Sequence, residues 1–163
     1  TEKYKSVFKT LKCSSDLDKL MSCCKKTPKF NLENCLKICK IVDVYDGDTI
    51  TIAIKLHKKI FKYKVRMYGY DSPEMKPRRS NVNRDEIIKE AKKAKEVISE
   101  LILNKIVVIK IEKNTWDKYG RLLGTIYSKI IPGITMKAYN LNVNEYMIKK
   151  ELGYKYYGGT KKS

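Results

Sequence analysis

From Ile38 onward the chain becomes a succession of short β-rich runs broken by turn residues, and this constrains the fold more than any other feature. Ile41-Val42-Asp43-Val44-Tyr45 and Thr49-Ile50-Thr51-Ile52-Ala53-Ile54 flank Asp46-Gly47, a hairpin signal. A third run, Ile60 to Tyr68, alternates: Phe61, Tyr63, Val65 and Met67 are apolar, and Lys62, Lys64 and Arg66 fall between them. Side chains two apart share a strand face, so Arg66 is expected to point away from the core. A polar, basic loop follows from Asp71 to about Asn83 and carries Lys76, Arg78 and Arg79.

A helix is predicted to start with Asn83 and Glu86 at capping-box spacing. Ile87, Ala91, Ala94, Ile98 and Leu101 then recur at spacings of four and three, the stripe of a helix packed on a core. Two further strands are read at Lys105 to Glu112 and Arg121 to Tyr127. A last helix runs from Val143 to Leu152, capped by Asn142 and closed by Gly153 at its C′ position. This order predicts an α+β, mainly β molecule: a five-stranded OB-fold barrel with two flanking helices. Residues 1–37 read instead as a short helical, cysteine-containing N-terminal extension, with Ser15 as a helix start and Thr27-Pro28 as a stop. The expected division is 1–37 for this extension, 38–159 for the barrel domain and 160–163 for a basic tail.

The 163 residues suit one domain plus an extension, and 42% hydrophobic content is enough to build a core. No apolar run approaches a membrane-spanning length; the longest, Leu101 to Ile111, is broken by Asn104, Lys105 and Lys110. Lys3, Lys5, Lys9 and Lys12 interrupt any signal-peptide core, which favours an intracellular or virion-associated protein over a secreted one. Abundant Lys, Ile, Asn and Tyr point to an AT-rich genome such as that of a large DNA virus or a protist. The 36 basic against 18 acidic residues give a net charge of +18, a field that attracts polyanions. Nucleic acid is the expected partner and a membrane is not, although a lysine-rich solvated surface accounts for the same count. Five cysteines, Cys13, Cys23, Cys24, Cys35 and Cys39, all lie near the N-terminus without paired C-x-x-C spacing, against a structural zinc site. Cys35 and Cys39 have the spacing of one helix face, and the thiols read as small buried groups or as one or two disulfides.

His57 is the only histidine, so two-histidine mechanisms are excluded; it sits in a lysine-flanked turn with no elbow motif near it, so a histidine-built triad is not expected. Any phosphodiester chemistry must then rest on carboxylates and a bound cation. Taken singly, Asp46-Gly47-Asp48-Thr49 reads as a turn, Asp71-Ser72-Pro73-Glu74 as a strand end, and Arg66 and Arg121 as surface ion-pair partners.

Taken together they carry a resemblance. Val44-Tyr45-Asp46-Gly47-Asp48-Thr49, Val65 through Glu74, and Asp117-Lys118-Tyr119-Gly120-Arg121 resemble, in order, the three signature segments of staphylococcal-nuclease-like domains. Asn144-Glu145 and Gly153-Tyr154-Lys155-Tyr156-Tyr157 resemble the segment that follows the barrel in these enzymes, so the likeness runs from about Ile38 to Gly158. The resemblance implies a calcium-dependent nuclease acting on DNA and/or RNA with little sequence preference, breaking the 5′ P–O bond and leaving a 3′-phosphate. It implies that Asp48, Asp71 and the backbone carbonyl of Ser72 hold Ca2+. Glu74 would be the catalytic carboxylate, and Arg66 and Arg121 would grip the phosphate. Lys76, Arg78, Arg79, Tyr119, Tyr154 and Tyr156 (or Tyr157) are the expected nucleic-acid contacts. Ser72 stands where many relatives have Thr, and the long C-terminal helix of the secreted bacterial enzymes has no counterpart; residues 1–37 are expected to cover that surface. A non-catalytic OB module binding nucleic acid or a protein, and a basic protein that condenses nucleic acid, are the competing readings.

Overall fold

A computed structural model describes residues 19–29, 31–129 and 139–158. The chain falls into two compact units, Thr1–Asn31 and Leu32–Ser163. In the first, residues 19–21 are helical, and the turn at Thr27 closes through Cys24 N–H donating to Thr27 Oγ1 at 2.8 Å and Thr27 N–H donating to the Cys24 carbonyl at 2.9 Å. Cys13, the helix start expected at Ser15 and the tail 160–163 lie outside the described residues.

The second unit is a closed barrel. Its elements are β1 (Leu36–Val44), β2 (Thr49–Leu56), β3 (Lys59–Met67), β4 (Tyr70–Asp71), α1 (Arg84–Ile102), β5 (Ile106–Trp116), β6 (Leu122–Ser128), β7 (Leu141–Asn142), α2 (Val143–Lys149) and β8 (Tyr154–Lys155). The strands run in the order β3-β2-β1-β5-β6-β7, antiparallel throughout, and a parallel pairing of β3 with β6 closes the ring at Val65↔Leu122 and Arg66↔Leu123. Five strands therefore form the mixed barrel of the OB type expected from the sequence.

Alternation explains the core. Ile41, Ile50, Ile52, Ile54, Val65, Met67, Val107, Ile109, Ile111, Leu122 and Ile126 point inward and are buried. Helix α1 adds Ala91, Ala94, Ile98 and Ile102, with Ile87 and Leu101 only half-buried at its ends. The small Ala94 matters: a Cβ built on Gly47 would lie 3.0 Å from its own, so the helix packs directly on the β1–β2 turn.

Four local expectations are corrected. Asn83 occupies the N-cap of α1 but makes no side-chain cap bond, because its backbone (φ −96°, ψ 26°) lies outside the extended region that a capping side chain needs. Asn81 Oδ1 instead takes the Asn83 N–H, at 3.0 Å. Helix α2 ends at Lys149, and the left-handed residue after it is Glu151 (φ 57°), so Gly153 is no C′ cap. Cys35 and Cys39 share no helix face: Cys35 precedes β1 and Cys39 is buried on it. The segment 31–37 is not helical, since it turns and enters β1 at Leu36. No disulfide joins Cys23, Cys24, Cys35 and Cys39 to one another.

Candidate active site

The β1–β2 turn is built around Asp46. Its Oδ1 accepts from the N–H groups of Asp48 (3.0 Å) and Thr49 (2.7 Å), and the Tyr45 N–H donates to the Thr49 carbonyl at 2.9 Å. Gly47 needs no left-handed φ here. It is required because a Cβ would come within 2.6 Å of the Ser72 Cβ. Tyr70, fully buried, donates its phenol to the Gly47 carbonyl and fixes the turn from below. Burial first, and the Asp48 charge second, push this phenol well above its usual pKa and keep it a donor.

This packing brings two distant aspartates together. Asp48 Oδ1 accepts from Thr49 Oγ1 at 2.9 Å, and its Oδ2 accepts from the Ser72 N–H at 3.0 Å and from Ser72 Oγ at 3.1 Å. Arg66, opposite Thr49 on β3, reaches both carboxylates: Nη1 is 3.3 Å from Asp48 Oδ2 and Nη2 is 2.5 Å from Asp71 Oδ1. Carbonyls of Met67 (3.1 Å) and Tyr70 (2.8 Å) hold the same guanidinium from behind. Asp71 Oδ2 accepts from the Tyr154 phenol at 2.9 Å, and this contact depends on β8 pairing with β4. There Gly153 finds its use, since a Cβ would sit 2.5 Å from the Asp71 carbonyl oxygen.

Arg121 enters from the opposite side of the chain. Its Nε donates to Asp117 Oδ2 at 2.7 Å, and the Arg121 and Tyr119 N–H groups both donate to Asp117 Oδ1 at 2.9 Å. Nη1 donates to Thr49 Oγ1 at 3.0 Å, so a single hydroxyl links Arg121 to Asp48. Burial raises the Asp117 carboxyl, but the bonds from Arg121 and Tyr119 outweigh it and hold the pKa below its ordinary 3.8. The Tyr119 ring, 71% exposed, lies 5.5 Å from the Arg121 guanidinium.

All of this opens into one cleft of about 580 Å³. Asp48, Asp71, Ser72, Arg66, Glu74 and Arg121 line it, joined by Lys76, Tyr119 and Tyr156. Glu74 is exposed to solvent within it. Tyr154 acts through Asp71 rather than as a wall. Arg78 and Arg79 do not line the cleft; they are exposed on the segment leading to α1. Sequence reasoning missed the supporting groups. Asp46, Thr49, Tyr70, Asp117 and Asn144 all lie inside the segments that carry the resemblance, but nothing in the sequence assigned them a supporting role. Asn144 accepts from the Ile126 N–H at 3.0 Å and donates to the Tyr68 carbonyl at 2.8 Å, tying α2 to the strands that carry the arginines.

The donor chemistry fits a hard divalent cation. Two largely buried carboxylates, Asp48 and Asp71, converge on one positive group, and their neighbours are hydroxyl and peptide oxygens with no thiol or imidazole. Among the described residues no cluster of three or more His, Cys, Asp and Glu side chains gathers, so such a cation would complete its shell with peptide oxygen and water. No described helix is long and apolar enough to cross a membrane.

The family model described as staphylococcal nuclease homologue matches residues 64–162, a span that holds Arg66, Asp71, Ser72, Glu74 and Arg121 and begins after Asp48. No curated protein matches the chain. With more than half of its length matched and the barrel closed as its sequence predicted, the chain belongs to the staphylococcal nuclease family.

Proposed function

We propose that the chain is a calcium-dependent nuclease that hydrolyses phosphodiester bonds of DNA or RNA with little sequence preference. One observation carries the reading: two aspartates, a glutamate and two arginines from three separate segments line a single cleft. Asp48 and Asp71, with the Ser72 carbonyl, would hold the cation, which supplies charge to offset the anionic transition state. Arg66 and Arg121 bind the non-bridging oxygens of the scissile phosphate; their planar forks suit this task where a lysine offers only a point charge. Both are held in place by acceptors behind them, Met67 and Tyr70 for Arg66 and Asp117 for Arg121, so little ordering is left for substrate to impose.

Glu74 accepts the proton of the attacking water. As water adds to phosphorus, the 5′ P–O bond breaks, the 5′ oxygen leaves and takes a proton from solvent, and the phosphate stays on the 3′ side. Tyr119 and Tyr156 offer faces on which a base stacks, and Lys76 adds a contact to the backbone.

The test is degradation of plasmid DNA and of RNA with calcium, with EDTA, and with Glu74→Gln. Cleavage should need calcium and fall by about 10²- to 10⁴-fold in the variant, the range of general-base catalysis. Binding without cleavage at any calcium concentration would turn the reading to a non-catalytic OB module.

A further inference from the structure

Outside the cleft, the outer face of β3 carries a row of cations continuous with Arg66. Arg66, Lys64 and Lys62 alternate with buried Val65 and half-buried Tyr63, so the three point to the same side of the sheet. Lys62 and Lys64 are exposed. Their cross-strand neighbours on β2 are uncharged, Thr51 opposite Lys64 and Ala53 opposite Lys62, and Ala53 in turn faces Lys40 on β1. A groove of about 420 Å³ lies along this row, lined by Val42, Asp43, Thr51, Lys62, Tyr63 and Lys64. Among the described residues that line it Asp43 is the one carboxylate, across Thr51 from Lys64. The Tyr63 ring, which meets Trp116 at 5.8 Å, packs on the other, core-facing side of β3.

We propose that this row is a subsite for an extended single strand of nucleic acid whose next phosphates, beyond the one at Arg66, rest on Lys64 and then Lys62. Residues two apart on a strand are spaced by about 6.8 Å, comparable to the phosphate repeat of an extended polynucleotide. The row is one cation wide beside uncharged β2 side chains. That geometry offers a track for one backbone, the electrostatic part of the way single strands are held. A duplex presents two backbones, and a single line of lysines engages only one of them. The proposal rests on the nuclease reading only for the phosphate at Arg66.

Binding of a fluorescent ten-nucleotide single strand, measured in EDTA over a range of salt, tests it on the full chain. For Lys62→Gln/Lys64→Gln the slope of log K against log salt should fall by about 1.4, two phosphates at about 0.7 each, with affinity down about tenfold. Lys92→Gln/Lys93→Gln, on the exposed side of α1, makes the same charge change and should leave both unchanged. In calcium, the first variant should raise KM for the ten-nucleotide strand and leave cleavage of a dinucleotide, too short to reach the row, as in the wild type. Equal losses in the two double variants would overturn the proposal, because the field of the whole molecule would then be responsible. An equal loss on a duplex of the same sequence would overturn it too. Failure of the wild type to cut even the dinucleotide would sink the nuclease reading instead, and the salt slopes alone would then decide the subsite.

Discussion

Asp117 shows how a single residue sets the site. Its carboxylate takes two bonds from Arg121 and one from Tyr119, and these keep its pKa below 3.8. A carboxyl whose folded pKa is depressed contributes stability that is present above its unfolded pKa and lost as pH falls through the folded one. Stability should therefore decline on acidification from about pH 4 downward, and Asp117→Asn should flatten that part of the decline. Urea unfolding at a series of acidic pH values checks this; identical slopes for the two proteins would remove Asp117 from the account. The residue was quoted in the sequence as part of a motif, yet its task was not legible. A spacing of four before an arginine says nothing of whether the carboxylate faces solvent or closes a turn on the arginine's own backbone.

At the scale of elements, periodicity carried most of the information. The three alternating runs from Ile41 to Met67 became β1, β2 and β3, and the Ala91–Ala94–Ile98 stripe became the buried side of α1, because burial of one face selects these patterns. Asn142 caps α2 as expected, its side chain accepting from the Glu145 N–H at 3.2 Å. The readings that failed concern element ends and close approaches. Gly153 looked like a helix terminator, and its real constraint is a backbone 82 residues earlier in the sequence, at Asp71. Only the β4–β8 pairing reveals that. Gly153→Ala should push β8 off β4, cost about 1–3 kcal/mol as an overpacking change, and weaken the Tyr154–Asp71 bond. The denaturant midpoint should fall and, on the proposed calcium-dependent reading, calcium affinity with it; a variant with an unchanged midpoint would show that the strand pair absorbs the methyl group.

For the whole molecule, cooperativity is readable through its thiols. Cys39 is buried in the barrel core and burial pushes its pKa from 9.0 to about 12, whereas Cys23 and Cys24 are exposed. A thiol reagent at neutral pH should modify Cys23 and Cys24 at once and Cys39 only at the rate of global opening, since the thiolate is the reactive form. Mass spectrometry of timed samples follows this, and fast labelling of Cys39 in native protein would mean that β1 opens separately from the barrel. Charge was legible from composition as a preference for polyanions. Where that charge is organised was not, because only the pairing of β1, β2 and β3 shows which lysines stand in a row beside Arg66.

The parallel seam between β3 and β6 has one more consequence. Arg66 and Arg121 belong to segments made at different times, and Thr49 meets the Arg121 guanidinium only when Val65 has found Leu122. A chain still emerging from the ribosome holds its acidic side chains and one guanidinium, and lacks the second until the last barrel strand exists. On the nuclease reading, a newborn polypeptide that does not yet include β6 lacks half of its grip on phosphate and leaves the messenger and ribosomal RNA around it uncut.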